Sequence, residues 1–184
     1  MVTEGRLKAI SLREAKRRAR KTKLVLTDSD GVLTDNGVYY GLEGEVLKRF
    51  SIRDGMGVER LRNAGIETGI ISGERSESVR RRAEKLAIGL LYLGIKDKGA
   101  ALSQVARDAG IGLDQMAFIG DDCNDRAALQ AVGKAGLTGA PADGMPEVVR
   151  AVHYRCRASG GHGAFRDFAE WILNLRCVKG PEEQ

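Results

Sequence analysis

The sequence predicts a single α/β domain built on a parallel sheet, and three observations predict it. Short apolar runs alternate with stretches of helical spacing along most of the 184 residues. The first β-branched run, Lys23 to Thr27, stops abruptly at Asp28, as a buried parallel strand does where it meets a site. Acidic residues, a serine and a lysine then recur where later runs end, which is where an open parallel sheet binds its ligands.

Before that first strand lies a basic leader, residues 1–23. It holds nine Lys or Arg and two acidic residues, a net +7, whereas residues 24–184 carry a net −2, so the formal charge of +5 belongs to the leader. Ser11 to Lys23 reads as a helix opened by a Ser11-x-x-Glu14 capping box. Two readings of it stand: a basic surface for phosphates or anionic lipid, or a solvated helix lying on the domain or on a neighbouring subunit. The lack of interleaved aromatic residues for base stacking favours the second and argues against nucleic acid.

After the first strand, Val38 to Tyr40 and Glu45 to Phe50 flank Gly41-Leu42-Glu43-Gly44, the pattern of an inserted β-hairpin with a four-residue loop. Further strands are expected at Glu67 to Ile71, Leu90 to Leu93, Met116 to Ile119 and Ala135 to Thr138. Helical spacing marks Glu77 to Leu86 and Gly99 to Ala109, and a last helix, Ala164 to Leu175, follows the turn at Gly160, Gly161 and Gly163. Residues 24–178 are expected to form the one domain and 179–184 a tail.

A hydrophobic content of 42% and a charged content of 30% are those of a globular protein. The longest apolar run, Leu86 to Ile95, includes two glycines and falls well short of the roughly 18 residues a membrane span needs. With no secretory pattern, the cytoplasm is the expected location. Cys123, Cys156 and Cys177 lack metal-knuckle spacing and read as free thiols. His153 and His162 have no G-x-S-x-G nucleophile elbow, which counts against Ser-His-Asp hydrolysis.

The strand ends carry Asp28-Ser29-Asp30, then Ser72-Gly73-Glu74, then Gly120-Asp121-Asp122, with Lys98 opening a helix after a further strand. Two carboxylates at i and i+2 on a tight loop face one point, Gly31 letting the backbone turn away. Joined by Asp121 and Asp122 they would repel one another, so the arrangement makes sense around a cation, and all-oxygen ligands suit Mg²⁺.

Asp28-Ser29-Asp30-Gly31-Val32-Leu33-Thr34-Asp35 resembles the first motif of haloacid-dehalogenase-type phosphatases, and the other motifs follow in family order. Ser72 matches the second-motif hydroxyl, Lys98 the third-motif lysine, and Gly120-Asp121-Asp122-Cys123-Asn124-Asp125 the acidic loop. The resemblance implies a Rossmann-like parallel sheet and phosphoryl transfer through an aspartyl-phosphate. Asp28 would be the nucleophile and Asp30 the general acid and base. Asp28, the Asp30 backbone carbonyl and Asp121 would hold the metal, with Asp122 and Asp125 orienting them. Ser72, Gly73 and Lys98 would bind the phosphoryl group.

Only 43 residues separate Asp28 from Ser72 and 25 separate Ser72 from Lys98, which leaves no room for a cap domain. The hairpin, Lys48-Arg49-Phe50-Ser51-Ile52-Arg53-Asp54-Gly55, and Gly160-Gly161-His162-Gly163-Ala164-Phe165-Arg166-Asp167 resemble the capless branch acting on 2-keto-3-deoxy sugar acid phosphates. That likeness implies a homotetramer whose neighbouring chains stand in for the cap. Ser72-Gly73-Glu74-Arg75 and Arg80-Arg81-Arg82-Ala83-Glu84-Lys85 look more like the nine-carbon enzymes, with Glu74, Arg82 and Lys85 meeting the sugar acid, Arg82 from the neighbouring subunit; Arg53-Asp54-Gly55 looks more like the octulosonate enzymes. The expected substrate is therefore a nine-carbon 2-keto-3-deoxy-nonulosonate 9-phosphate, with 3-deoxy-D-manno-octulosonate 8-phosphate as the alternative. The reading of another class is a non-catalytic oligomerisation module related to the C-terminal part of acylneuraminate cytidylyltransferases.

Overall fold

The computed structural model describes residues 10–177. Helix α1 (Leu12–Lys21) leads into strand β1 (Leu24–Thr27), the hairpin strands β2 (Val38–Gly41) and β3 (Gly44–Lys48), helix α2 (Ile52–Asn63), β4 (Glu67–Ser72) and α3 (Glu77–Lys85). Then come β5 (Leu90–Leu93), α4 (Lys98–Ala109), β6 (Met116–Ile119), α5 (Arg126–Gly133), β7 (Leu137–Ala140), the single turn α6 (Pro146–Val149), β8 (Tyr154–Arg155) and α7 (Ala164–Cys177).

Six strands pair in the order β5-β4-β1-β6-β7-β8, every pair parallel. Because side chains alternate along a strand, each strand feeds both faces. Val25 and Ile70 join Val58, Leu61, Phe165 and Phe168 on the face covered by α1, α2 and α7, while Leu24, Leu26 and Ile71 join Leu102, Val105 and Leu129 under α4 and α5. The sheet is therefore buried on both sides. After β5 the chain crosses back over β1 to place β6 on its other flank, so the order reverses beside β1 and opens a crevice at the carboxyl ends there.

The hairpin stands apart as a two-stranded sheet, and its turn is tighter than expected. Gly41 pairs with Gly44 across Leu42-Glu43, which works because Gly44 adopts a positive φ of 114°; β3 stops at Lys48 rather than Phe50. β7 starts two residues later than the apolar run indicates, because the Gly136 N–H still closes α5 by donating to the Val132 carbonyl at 2.7 Å.

Helix α2 has no strong helical signature, with Gly55 and Gly57 in its interior. Both glycines are there for closeness: a Cβ at Gly57 would sit 3.1 Å from the Arg166 backbone, and one at Gly55 would sit 2.8 Å from the Arg82 guanidinium. α2 can therefore lie directly against α7.

Of the basic leader, residues 1–9 lie outside the described residues, as do 178–184 of the chain's end. α1 itself is folded onto the domain, with Ala15 and Ala19 in the core and Ser11 capping it by accepting from the Glu14 N–H. Its buried Arg18 donates to the carbonyls of Gly133 and Gly136, both at 2.8 Å, and of Lys134 at 3.2 Å, satisfying the open carbonyl end of α5. Cys123, Cys156 and Cys177 are free thiols. Among the described residues no helix is long and apolar enough to cross a membrane. Arg18→Ala leaves three carbonyls without their donor; we expect a loss of about 2–3 kcal/mol in urea unfolding, with kcat unchanged.

Candidate active site

The site is assembled at the carboxyl ends of β1, β4 and β6. Asp28 extends the β1 ladder by one residue, its N–H donating to the Ile119 carbonyl at 3.0 Å, and is only 4% exposed. Lys98, the first residue of α4, places Nζ 2.8 Å from Asp28 Oδ2 and 2.6 Å from Asp125 Oδ1. Asp125 also accepts from the N–H groups of Asp121 (2.9 Å) and Asp122 (3.3 Å), so it ties the acidic loop to the lysine. Asp121 Oδ2 accepts from Asn36 Nδ2 at 3.2 Å, while its Oδ1 is buried without a partner.

Tight backbone packing makes this convergence possible. Gly31 has φ +82°, and a Cβ there would lie 1.9 Å from Asp121 Oδ2. Gly160 supports the same loop from outside: its own Cβ would meet the Gly31 carbonyl at 2.0 Å, and the Gly161 N–H donates to the Val32 carbonyl at 2.9 Å. Asp54 fixes that glycine-rich turn by accepting from the N–H groups of Gly163 (3.3 Å) and Arg166 (3.0 Å) at the start of α7.

Oxygens of Asp28, Asp121 and Asp125 lie within 4.8 Å of one another. Three carboxylates face one ammonium. Burial, with the charges of Asp125 and Asp121, pushes the Asp28 carboxyl well above the usual range despite Lys98. Burial likewise lifts Asp121 to about 7, with Asp125 and Asp122 adding to it and Asn36 opposing. Burial alone would lower Lys98, but Asp28 and Asp125 outweigh it and hold the ammonium charged. Excess negative charge and an unpaired buried oxygen are what a hard divalent cation with oxygen ligands relieves. Asp125 is occupied by Lys98 and two N–H groups, and Asp28 by Lys98 and the Ser29 N–H (2.7 Å), so Asp121 Oδ1 is the carboxylate oxygen of this group without a partner.

A cleft of ≈ 230 Å³ opens above these groups, bounded by Asp28, Asp30, Ser72, Gly73, Asp121 and Asp122. Asp30 Oδ1 is held by Lys48 Nζ at 2.7 Å and by Thr34 Oγ1 at 3.4 Å. Ser72, the last residue of β4, accepts from the Glu74 N–H at 3.2 Å.

The residues expected to meet a sugar acid are placed differently from one another. Glu74 lies at the exposed rim, paired with Lys96 at 2.9 Å. Glu74 and Lys85 do not share a helix, because Ser76 caps α3 and Glu74 falls in the loop before it. Lys85 ends that helix, exposed. Arg82 Nη2 donates to the Ser51 carbonyl at 2.8 Å and its guanidinium sits 5.8 Å from the Phe50 ring centroid, bracing α3 on the segment before α2. Sequence reasoning assigned no role to Asn36, Lys48, Lys96 or Asn124, all at or beside the cleft. Asn36 carried one usable signal: it follows the acidic motif and adopts φ 63°, which Asn tolerates better than most residues.

A doubly covered parallel sheet with Asp28, Ser72, Lys98 and Asp121 converging at its carboxyl edge defines a hydrolase of the haloacid-dehalogenase type. A haloacid-dehalogenase superfamily (subfamily III A) hydrolase from Legionella pneumophila superposes with a TM-score of 0.83 at 35% identity, covering 90% of this chain and 89% of that one. No protein-family model matches the chain. The 3-deoxy-D-manno-octulosonate 8-phosphate phosphatase of Haemophilus influenzae is 40% identical over 154 residues, 84% of each chain, and the chain belongs to this phosphatase family. The Moraxella catarrhalis enzyme of that name, solved with a magnesium ion, a phosphate ion and a KDO molecule, matches with 36% identity and a TM-score of 0.82 over 90% of this chain and 94% of that one.

Proposed function

We propose that the chain is a Mg²⁺-dependent phosphomonoesterase whose substrate is 3-deoxy-D-manno-octulosonate 8-phosphate. The observation that carries the chemistry is the buried Asp28 carboxylate, 2.8 Å from Lys98 and grouped with Asp121 at the ends of adjacent strands. The eight-carbon substrate follows the named relatives, and it replaces the nine-carbon preference expected from Glu74, Arg82 and Lys85. The non-catalytic reading falls with family membership and with a complete set of reacting groups in one cleft.

An Asp28 oxygen attacks phosphorus, and the bond to the sugar oxygen breaks. Asp30 donates its proton to that leaving oxygen, then takes one from the water that attacks the aspartyl-phosphate, releasing phosphate and regenerating Asp28. Ser72 and the Gly73 N–H hold phosphoryl oxygens, and Lys98 balances charge between them and Asp28. Asp28, the Asp30 carbonyl and Asp121 would hold Mg²⁺, which when bound supplies positive charge for the phosphoryl oxygens. Asp122 and Asp125 keep the acidic loop in place for this.

The working form we propose is a homotetramer in the cytoplasm. The hairpin exposes Tyr39, Tyr40, Leu42 and Val46, an apolar surface on a two-stranded sheet with unpaired edges. Neighbouring chains seated there would roof the cleft and bring Lys85 or Arg82 to the sugar acid.

The decisive test compares kcat/KM on eight-carbon and nine-carbon keto-acid phosphates. We expect at least about tenfold preference for the octulosonate, and below about 1% of wild-type kcat for Asp28→Asn, since an amide is a poor nucleophile and metal ligand. A nine-carbon preference would reinstate the Glu74 reading; a fully active Asp28→Asn would overturn the mechanism.

Cation binding should also appear in stability. A carboxyl whose folded pKa is raised costs stability increasingly as pH climbs from its unfolded value towards the raised one, so the cost of Asp121 to the free protein grows between about pH 4 and 7 and is complete above that. A cation relieves that cost only where Asp121 is ionised, so the rise in Tm on adding Mg²⁺ should be larger at pH 8 than at pH 5.5. Light scattering should give four chain masses, and Tyr40→Asp with Leu42→Asp should lower both mass and kcat/KM for the sugar acid.

A further inference from the structure

We infer that Lys48 is a positioning residue for proton transfer, holding one oxygen of Asp30 so that the other exchanges the proton with the leaving group and with water. The inference rests on the reading of Asp30 as general acid and base, and it adds a residue outside the four phosphatase motifs.

Lys48 is a buried cation on an otherwise exposed element. Its side chain is 1% exposed, although it ends β3 of the solvent-facing hairpin. Its Nζ lies 2.7 Å from Asp30 Oδ1 and 3.4 Å from Glu45 Oε2. Burial alone would lower this ammonium; the hydrogen bond and charge of Asp30, with the charge of Glu45, outweigh it and keep Lys48 protonated. Both donors to Asp30, Lys48 and Thr34, address Oδ1. Oδ2 has no donor among the described residues. An N–H donor suits Oδ1 equally as a carboxylate oxygen or as the carbonyl oxygen of a carboxylic acid, so the anchor survives both protonation states and the proton is confined to Oδ2.

The anchor is itself fixed at two points. Lys48 pairs across the hairpin with Val38, and Glu45 accepts a hydrogen bond from Ser76 Oγ, the cap of α3. The hairpin thus spans from the Asp30 loop to the helix that follows Ser72 and Gly73. Through it, the groups that handle the proton and the phosphoryl oxygens share one support.

A leaving-group series tests this. kcat/KM is measured at saturating Mg²⁺ for aryl phosphates of similar size running from 4-nitrophenyl to phenyl phosphate, on wild type, Lys48→Met, Lys48→Arg, Asp30→Asn and the Lys48→Met/Asp30→Asn pair. Good leaving groups need little protonation, so Lys48→Met should lose about tenfold more on phenyl than on 4-nitrophenyl phosphate, and Lys48→Arg should restore the wild-type slope. In the Asp30→Asn background Lys48→Met should cost less than about threefold further on any member. The Mg²⁺ concentration for half-activation should stay within about threefold of wild type. A uniform loss across the series, additive losses in the double variant, or no loss overturns the role of Lys48. If Lys48→Met does not fold, Lys48→Gln, which keeps a donor without charge, must show a smaller increase of the same slope, and an unchanged slope overturns the inference. Wild-type activity in Asp30→Asn would overturn the reading of Asp30, and the role of Lys48 with it; an inactive Asp30→Asn beside an unchanged Lys48→Met overturns the latter alone.

Discussion

Charge balance at the end of β1 governs this protein. Asp28, Asp121 and Asp125 meet in a buried space where, among the described residues, Lys98 is the one ammonium on Asp28 and Asp125, and water reaches little of it. One positive charge cannot neutralise three carboxylates, so burial and mutual repulsion raise the Asp28 and Asp121 carboxyls, a cost that a divalent ion would relieve. Such an arrangement weakens the fold in order to be reactive. Removing Lys98 would leave Asp28 and Asp125 buried without their countercharge, and removing Asp125 would take from the acidic loop the two N–H bonds that shape it.

The rest of the architecture serves to hold that imbalance in place. β1 is central, so Asp28 cannot shift without disturbing ladders to both β4 and β6. Gly31 and Gly160 allow two loops to press together where any side chain would intrude, and Asp54 locks the second of them onto α7. Asp54 is itself a buried carboxylate raised by burial, held chiefly by backbone N–H groups, with the Arg82 charge adding a smaller part. The chain thus contains two kinds of buried acid, one saturated by amides and structural, the other under-saturated and available for chemistry.

The sheet was legible because its strands are short, apolar and bounded by Gly or acidic residues, which is a strong local signal. The first-motif carboxylates, Ser72, Lys98 and the acidic loop were legible for a related reason: each sits where such a run ends. Helix α2 was not, since Gly55 and Gly57 lower its propensity and only the contact with α7 explains them. Lys48 and Asn36 reach the cleft through tertiary folding of the hairpin and the loop before it, and no periodicity within the chain announces that. Arg18 read as part of a charged surface, yet its task is to close the carbonyl end of α5, more than 100 residues away in sequence.

Substrate identity was the least legible property, and the geometry gives the reason. A cleft of ≈ 230 Å³ has room for a phosphoryl group and the atoms next to it, whereas pockets that enclose whole ligands run from about 300 to 1,000 Å³. An eight-carbon acid held there by its phosphate must extend past Glu74 and Lys96 at the rim into space that one chain leaves open. Residues within one sequence can therefore specify the reaction completely while specifying the sugar only in part. The exposed apolar hairpin stands beside that open space and is braced to Asp30 through Lys48. On the proposed mechanism and assembly, a second chain docking on the hairpin would complete the sugar site and press on the support of Asp30 in the same event, joining recognition of the distant carboxylate to the chemistry at phosphorus.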